Sequence, residues 1–404
     1  LAAEMDGQRI ANITGWQLTT QTYHIVEAAI FADCSGDGVL APLTGALHRM
    51  GREARQEYNE SIAPMQADAC TMGMTCLFQG REYNEPQPFQ APSWAYRFDR
   101  CEDLPYGEAG HRWWHMGYWW VELGGDRHSI HDTEVCRDEL LKITFGVWDH
   151  LKNRCTHRAE VAHWALDWVQ FLPARRESRR YIGDHVLTQN DIEAGGHFED
   201  LVAYGGWTMD DHHPAGFWAV KSAAPATIFH RAPSPYGIPY RALCSRNIAN
   251  LMFAGRDASC THAAMSSTRV MGTCMTMGQA LGAAAAIAAR RGLEPRQVGA
   301  HIQELQQTLL EDDCYLPWTP QIYPELTRQA RLVASQGDPE PVRDGFTRPI
   351  DGDPHRWACH AGDTLDYLFD APRRVSQVAL VLDTALADNI AMSYHQKDTQ
   401  WTRV

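Results

Sequence analysis

The sequence of 404 residues predicts an α/β fold, and two pairings of a strand with a glycine-rich turn indicate it. The strand-like run TYHIVEAAIFAD (22–33) ends in the turn DCSGDG (33–38), and the helix-like stretch VLAPLTGALHRMGREA (39–54) follows. NIANLMFAGR (247–256) is again a strand and a turn, and SSTRVMGTCMTMGQALG (266–282) is expected to lie in a long helix after it. Strand, glycine-rich turn and helix in succession form the basic unit of α/β proteins.

Other stretches carry patterns of their own. Residues 8–33 alternate like a small β-meander. An amphipathic periodicity predicts three helices, over 133–153, 155–172 and 296–313. Towards the end of the chain the composition changes, and the alternation over 364–384 is typical of strands. We therefore expect a domain boundary near 335–350 and the start of a β-sandwich after it.

The charge balance argues against some classes of partner. The chain has 36 basic and 50 acidic side chains, a formal net charge of −14. Phosphate neutralisation needs a basic face, so we expect no nucleic acid and no docking to an anionic membrane. The stretch 270–289 is long enough for a membrane span, but Thr273, Thr276 and Gln279 lie within it. We expect a buried helix there and no transmembrane segment; the oligomeric state stays open.

Cysteine usage and the chain ends give weaker indications. Eleven cysteines occur without a C-x-x-C pair, so free buried thiols are expected rather than a zinc ribbon. The start, LAAEMDGQRIANITGW, has neither an initiator methionine nor a basic-then-apolar leader. We expect both ends to be cut, with a glycine-rich βαβ unit upstream of Leu1. The location stays open between the cytoplasm and a secreted or periplasmic compartment.

The predicted helix over 266–282 contains an unusual number of glycines. Gly272, Gly278 and Gly282 each cost about 1 kcal/mol relative to alanine in a helix, so something is expected to approach this backbone closely. If the helix begins around 268–271, its free N–H groups and partial positive charge meet the two strand-end turns in one crevice. Such a crevice is typical of a nucleotide cofactor site. Tight packing of the helix on a sheet, without a ligand, explains the same glycines.

Three separated motifs then suggest a family. They are IFADCSGDGVLAPLTGALHRMGREA (30–54), GGWTMDDHHPAG (205–216) and LMFAGRDASCTHAAMSSTRVMGTCMTMGQALGAAAAIA (251–288). Over roughly residues 8–315 the chain resembles bacterial FAD-dependent oxidoreductases, whose members begin with a G-x-G-x-x-G Rossmann unit. The resemblance implies FAD as cofactor. It implies a Rossmann-type FAD-binding domain that is incomplete here, because the sequence contains no G-x-G-x-x-G.

The resemblance also implies a domain order. An α+β substrate domain is inserted into the FAD-binding domain, and the start of a β-sandwich follows. The expected parts are 1–70 (distal part of the FAD-binding domain), 71–245 (substrate or cap domain), 246–335 (closing part of the FAD-binding domain) and 345–404 (partial β-sandwich, galactose-binding-like).

By the same resemblance, three groups of residues border the cofactor. The adenine dinucleotide is bordered by Ser35, Gly36 and Asp37. The pyrophosphate and ribitol are bordered by Gly255, Arg256 and Asp257. The flavin ring is bordered by Arg269, Val270, Met271, Gly272 and Thr273.

A cluster of acids and histidines provides the candidate catalytic groups. GGWTMDDHHP (205–214) contains Asp210, His212 and His213. A flavin that oxidises an alcohol needs a base for the hydroxyl proton, and histidine suits this near neutral pH. The family pattern matches Asp210 and His212. A solvated turn, with its aspartates capping local N–H groups, is the structural alternative for this motif.

Aromatic and basic runs provide candidate substrate contacts. Within HRWWHMGYWW (111–120), Trp113, Trp114 and Trp119 are candidates for stacking on a sugar ring; core packing is the alternative. The run ARRESRRYIGD (174–184) is a candidate site for a carboxylate or a phosphate. The alternative is a solvated helix end with ion pairs.

The function that the resemblance and these residues predict is that of an FAD-dependent oxidoreductase, a dehydrogenase that transfers hydride from an alcohol, polyol or carbohydrate to the flavin. One alternative is a cofactor-free carbohydrate-binding protein on a degenerate flavoprotein fold. The other is a metal-dependent hydrolase that uses His111 and His115, spaced i,i+4. We expect no metal site.

Overall fold

A computed structural model describes residues 1–112 and 114–382. The chain divides into two compact units, Leu1–Ala300 and the part from His301 onward. The predicted four-part division into domains stays a prediction.

Strands are short, and they pair in small sheets of two or three. In chain order they are β1 (Ala2–Asp6), β2 (Arg9–Gln17), β3 (Thr22–Glu27), β4 (Phe31–Asp33), β5 (His48–Arg49), β6 (Met74–Thr75), β7 (Phe78–Glu82), β8 (Glu122–Leu123), β9 (Trp164–Val169), β10 (Ala174–Arg175), β11 (Arg180–Tyr181), β12 (Leu201–Gly205), β13 (Met209–His212), β14 (Thr227–His230), β15 (Tyr236–Pro239), β16 (Leu251–Phe253), β17 (Arg331–Ala334) and β18 (Leu365–Leu368). The α-helices are α1 (Ala41–Thr44), α2 (Arg55–Tyr58), α3 (Thr133–Asp149), α4 (Gln189–Glu193), α5 (His262–Thr268), α6 (Met271–Arg291), α7 (Ile302–Glu311) and α8 (Glu325–Gln329).

One parallel strand pair brings the two glycine-rich turns together. β4 pairs with β16 in parallel, with Phe31 opposite Leu251 and Asp33 opposite Phe253. Parallel strands end at the same edge of a sheet, so the turns that follow Asp33 and Phe253 lie side by side. Beside this pair, β1, β2 and β3 form an antiparallel meander, which confirms the alternation read in residues 8–33.

The predicted helix over 133–153 is confirmed as α3. Its buried face consists of Cys136, Leu140, Ile143 and Val147, each at most 2 % exposed. Their spacing of three and four residues places them on one side of the helix. This side packs into an aromatic core with Phe78 of β7. At about 1.5–3 kcal/mol for each large apolar side chain buried, that face accounts for the position of α3.

Two predicted helices are wrong. Within 39–54 the structure has only the short helix α1, which ends at Gly45 with a left-handed φ of 71°, and then strand β5. Within 155–172 the chain turns and then forms β9, which pairs antiparallel with β7. Cross-strand pairing with β7 prevailed there over the local helical periodicity, because Trp and Val side chains suit a paired strand.

The long helix predicted over the glycine-rich stretch is broken. α5 ends at Thr268, α6 begins at Met271, and their axes differ by 95°. Val270 is extended, with ψ of 145°, and serves as the N-cap residue of α6. The predicted helix start around 268–271 is therefore confirmed for α6. Of the helix predicted over 296–313, only α7 is α-helical, after a 3₁₀ segment (Pro295–His301).

In the second unit, β17 pairs antiparallel with β18. β17 precedes the predicted boundary near 335–350, β18 covers only part of the predicted strand run 364–384, and residues 383–404 lie outside the described chain. The β-sandwich stays a prediction. Among the described residues, no single helix is long and apolar enough to cross a membrane, and α5 and α6 meet that criterion only as a bent pair.

Candidate active site

The sequence DDHH (210–213), which we call the DDHH motif, contains two aspartates, Asp210 and Asp211. Strand β13 presents them to different histidines. Successive side chains of a strand point to opposite faces. Asp210 Oδ2 lies 3.3 Å from His212 Nε2, whereas Asp211 Oδ1 lies 3.1 Å from His262 Nε2. One short strand thus takes part in two buried carboxylate–histidine clusters.

Glu122 fixes the orientation of His212. Its Oε2 lies 2.6 Å from His212 Nδ1, and both side chains are buried, at 1 % and 4 % exposure. A carboxylate only accepts, so Nδ1–H donates to Glu122. In the neutral imidazole Nε2 is then an acceptor, and its partner is the Arg269 N–H at 3.1 Å rather than the Asp210 carboxylate. Arg176 lies 3.4 Å from the same carboxylate oxygen. The sequence analysis missed Glu122; its signal was a single acid within the apolar run WWVELGG.

Arg269 joins the DDHH motif to the break between α5 and α6. Its NH2 group donates to Asp210 Oδ2 at 2.8 Å and lies 3.1 Å from His212 Nε2. Burial opposes the charge of Asp210, but the hydrogen bond and the charge that His212 offers when it is protonated, together with the charge of Arg269, outweigh burial and lower the pKa of Asp210. Asp210 is therefore a carboxylate at neutral pH.

This cluster has polar capacity that the described chain does not use. Glu122 Oε1, Asp210 Oδ1 and Arg269 Nε are buried, and none has a hydrogen-bond partner among the described residues. An unpaired buried polar group costs about 1–3 kcal/mol, and more when it is charged. Two acceptors and one donor beside one histidine are the features of a site that binds a polar ligand.

His262 belongs to the second cluster. Its Nδ1 lies 2.8 Å from Glu177 Oε2, and its backbone N–H donates to Glu53 Oε2 at 2.8 Å. Arg180, which is fully buried, pairs with both Glu177 and Glu53. The basic run 174–184 is therefore internal here and not the solvated helix end considered as an alternative.

His213 points away from the His212 cluster. Its Nδ1 accepts a hydrogen bond from the backbone N–H of Ala215 at 3.1 Å, and its own N–H donates to the carbonyl of Ala226. A turn role accounts for these contacts. The predicted catalytic roles of Asp210, His212 and His213 stay predictions, and the geometry distinguishes the two histidines.

The turn after β4 is held by carboxylates. Ser35 Oγ donates to Asp33 Oδ1 at 2.6 Å. Asp37 pairs with Arg175 and with Arg256, the latter at 3.3 Å. Gly36 has a φ of +70°, and a Cβ there would lie 2.9 Å from the Arg256 guanidinium. Glycine thus lets Arg256 cross the turn, so the groups predicted at the two turns are in contact.

The turn after β16 places a carboxyl group in a buried position. Gly255 has a φ of +108°, and Asp257 after it is fully buried. Asp257 Oδ2 accepts from the N–H of Gly38 at 3.2 Å. Asp257 Oδ1 and Arg256 NH1 are buried without a partner among the described residues. Both turns therefore retain unused polar atoms at their junction.

Asp257 should make stability depend on pH. Burial, followed by the charge of Asp33, raises the pKa of Asp257 from 3.8 to about 8. The folded chain then holds a proton that the unfolded chain releases, so the stabilisation is complete below pH 4 and is lost as the pH rises through about 8. We expect the free energy of unfolding to fall between pH 5 and 8, by at most about 1.4 kcal/mol per pH unit from this group.

Urea unfolding at a series of pH values measures this effect. Asp257→Asn should flatten the slope, whereas Asp6→Asn, at an exposed position, should leave it unchanged. An equal slope in wild type and Asp257→Asn would contradict the assignment.

The N-terminus of α6 is open. A Cβ built on Gly272, Gly278 or Gly282 meets no atom of the chain within 4 Å. Met271 is 82 % exposed, whereas Thr273 is buried. Within the described chain, the three glycines therefore do not serve tight packing of the helix on a sheet, which was the explanation without a ligand. Whether Val270 and its neighbours border a flavin stays a prediction.

The predicted substrate tryptophans lie in different environments. Trp119 is 55 % exposed, and its carbonyl accepts from Arg176, the neighbour of Glu122. Trp114 is instead partly buried against the aromatic core and lies 6.5 Å from Trp164, ring to ring. Trp113 lies outside the described residues. Of the two that are described, Trp119 is the one with a contact to a neighbour of the His212 cluster.

A surface cavity of about 350 Å³ lies elsewhere, between β9 and the aromatic core. Phe89, Phe145, Trp148 and Trp164 line it, with Asp167 as its charged residue. No residue of the His212 cluster contributes to it. Catalytic acids and bases are titratable groups, and the His212 cluster contains several of them, whereas the described residues that line this cavity include one, Asp167. We therefore base the candidate active site on His212.

Comparison with known proteins identifies one family. The family model described as "FAD dependent oxidoreductase" matches residues 1–309. None of the curated proteins and none of the solved structures matches the chain significantly.

Proposed function

Since the chain belongs to the FAD dependent oxidoreductase family, we propose that it is a dehydrogenase that oxidises the hydroxyl group of a polyol or carbohydrate, with FAD as cofactor. The observation that carries the proposal is the His212 cluster, in which three buried polar atoms have no hydrogen-bond partner among the described residues. A hydroxyl-rich substrate both donates and accepts hydrogen bonds, so it complements two carboxylate oxygens and one guanidinium N–H. Trp119 is 55 % exposed, and its backbone carbonyl accepts a hydrogen bond from Arg176; in this proposal its ring supplies an apolar face of the kind that stacks on a sugar.

The residues of the two turns fit a cofactor of this chemistry. Buried Asp257 Oδ1 can accept from a ribitol hydroxyl, and Arg256 NH1 can donate to a pyrophosphate oxygen; neither has another partner among the described residues. Arg256 and Asp257 would therefore hold the dinucleotide part. The N–H groups that begin α6, at Met271 and Gly272, would lie at the flavin ring.

His212 performs the proton transfer in this proposal. Bound FAD supplies the acceptor for the hydride. The substrate hydroxyl displaces the Arg269 N–H from His212 Nε2. His212 Nε2 then accepts the hydroxyl proton of the substrate. Glu122 keeps the Nδ1 proton in place and stabilises the imidazolium that forms. Arg269 and Asp210 orient the substrate hydroxyl by charge-assisted hydrogen bonds.

Anaerobic flavin reduction tests this function. The full-length protein, carrying FAD, is mixed with a panel of polyols and sugars, and the loss of oxidised-flavin absorbance is followed. A panel of amines and thiols serves as the comparison. Bleaching by at least one polyol or sugar is expected. Bleaching only by amines or thiols would exclude the substrate class, and a protein that takes up no FAD would favour a cofactor-free binding protein.

Gly272→Leu is expected to remove bound flavin without unfolding the protein. A Cβ at this position meets no atom of the described chain within 4 Å, so stability should change by about the leucine–glycine difference in helix propensity, about 1 kcal/mol in favour of leucine. The leucine would, however, occupy the space in front of the first N–H groups of α6. Flavin absorbance per protein and urea unfolding measure the two effects separately.

Gly282→Leu is the matched control. It alters the same helix at an equally open position, ten residues or about 15 Å further along, and should retain flavin. Full flavin content in Gly272→Leu would mean that the cofactor does not approach this end of α6.

A further inference from the structure

A buried set of two cysteines and two histidines lies at the end of α3 and shares no residue with the proposed active site. Cys101, His111, His150 and Cys155 offer ligand atoms that all lie within 4.8 Å of one another. Cys101 Sγ is 3.9 Å from Cys155 Sγ and 3.6 Å from His150 Nε2, and His111 Nε2 is 3.2 Å from Cys155 Sγ. All four residues are buried, at 0–7 % exposure.

From this geometry we propose that the four side chains bind one structural Zn²⁺ ion. Zinc takes four sulfur and nitrogen ligands in a tetrahedron, with bonds of about 2.3 Å to sulfur and 2.0–2.1 Å to nitrogen. The edges of that tetrahedron are then about 3.3–3.8 Å long, close to the 3.9, 3.6 and 3.2 Å that separate three of the atom pairs. Two thiolates also balance the charge of the ion, so the buried site is neutral as a whole.

Both histidines are held in the tautomer that zinc requires. His111 Nδ1–H donates to the carbonyl of Gly107 at 2.7 Å, and His150 Nδ1–H donates to the carbonyl of Phe98 at 3.0 Å. Each Nε2 is therefore a lone pair directed into the set. Backbone carbonyls that orient metal-binding histidines in this way are a regular feature of zinc sites.

The backbone is shaped to bring the ligands together. His150 begins a π-helical turn (His150–Arg154), and the N–H of Cys155 bonds to the carbonyl of His150 at 2.7 Å. π-helical turns are rare and frequently occur at functional sites. The N–H of His157 lies 3.3 Å from Cys155 Sγ, a hydrogen bond that stabilises a thiolate. Two 3₁₀ turns, Cys101–Asp103 and Gly107–His111, carry the other ligands.

The role of the ion would be structural. Four protein ligands leave no open position for water or substrate, which distinguishes such a site from a hydrolytic zinc centre. The ion would fasten the segment from Cys101 to His111 to the C-terminal end of α3. His115, the i,i+4 neighbour considered for a hydrolase, lies outside the set and instead has its ring 6.1 Å from that of Trp164.

Metal content of the full chain, purified under reducing conditions, is the first test. We expect about one zinc per chain by elemental analysis, and zinc-edge X-ray absorption with two sulfur and two nitrogen neighbours. Replacement by Co²⁺ should give the visible bands of a tetrahedral ion together with thiolate charge transfer. These measurements use the wild type and do not depend on any variant folding.

Variants locate the site. Cys155→Ser should reduce the zinc content to a small fraction. Cys76→Ser, at a thiol buried in the same aromatic core but outside the set, should keep it. A chelator should lower the melting temperature of the wild type and of Cys76→Ser.

Three results would overturn the proposal. One is a wild-type protein that, with its cysteines reduced, binds neither zinc nor cobalt. In that case the set would be held by two S–H···N hydrogen bonds, from Cys101 to His150 and from Cys155 to His111. Another is a Cys101–Cys155 disulfide in the native protein. The last is zinc that Cys155→Ser retains in full.

Discussion

His212→Ala is expected to slow the reduction of bound flavin by a competent substrate about a hundredfold or more, as the loss of a general base commonly does. The reason is the position of the imidazole. Its Nδ1 is committed to Glu122 at 2.6 Å, so Nε2 is the basic atom, and it faces Asp210 and Arg269. Alanine removes that atom without touching the turns that would hold the dinucleotide. Anaerobic stopped-flow bleaching measures the rate, and absorbance measures flavin content, which should be unchanged.

The neighbouring His213→Ala is the matched control. His213 contacts the backbone of Ala215 and not the cluster, so its loss should change the rate much less. A His212→Ala protein that is reduced as fast as wild type, or a slower His213→Ala, would contradict the assignment of the base. His262, on the other face of β13, would then be the next candidate, because its Nε2 contacts Asp211.

What could be predicted from the sequence was local. The meander, α3 and the start of α6 follow from periodicity and from glycine placement, which neighbouring residues determine. Where a local pattern predicted the wrong element, pairing with a strand distant in sequence determined the structure. The segment 155–172 has the periodicity of an amphipathic helix, and the pairing of β9 with β7 overrides it.

The site itself depended on contacts that no local pattern reveals. Glu122 lies 90 residues before His212, and Glu177 lies 85 residues before His262. Each glutamate is visible in the sequence as a single acid, Glu122 in an apolar run and Glu177 in a basic run. The sequence does not reveal which histidine each one contacts. In the same way, Cys101 and Cys155 have no C-x-x-C spacing. They meet because a π-helical turn ends α3 at His150, and that feature has no recognised sequence signature.

Arg180→Met is expected to destabilise the folded chain by about 3–5 kcal/mol, the cost of breaking a buried ion pair by removing one partner. Arg180 is fully buried and donates to Glu177, to Glu53 at 2.8 Å, and to the carbonyls of Gly51 and Cys260. Methionine fills part of the volume but leaves two buried carboxylates without their cation. Urea unfolding at neutral pH measures the loss.

Arg241→Met is the matched control, since Arg241 makes a salt bridge to Asp200 with its side chain 53 % exposed. Exposed pairs contribute about 0–1 kcal/mol, so a loss of that size in both variants would contradict the proposed role of Arg180. The double variant Arg180→Met/Glu177→Gln should recover part of the stability, because one unpaired carboxylate is removed.

The loss in Arg180→Met should also depend on pH. Burial raises the pKa of Glu53, but the charge of Arg180 and the hydrogen bonds to the carboxylate outweigh burial and hold that pKa below its ordinary 4.5. The stabilisation of Glu53 is therefore present above about pH 4.5 and is lost as the pH falls through the lowered pKa. Arg180→Met lacks that stabilisation at every pH, and its Glu53 can take up a proton. The difference in unfolding free energy between wild type and variant should therefore narrow below pH 4.5. A difference that stays constant from neutral pH into that range would show that Arg180 acts through packing and neutral hydrogen bonds alone.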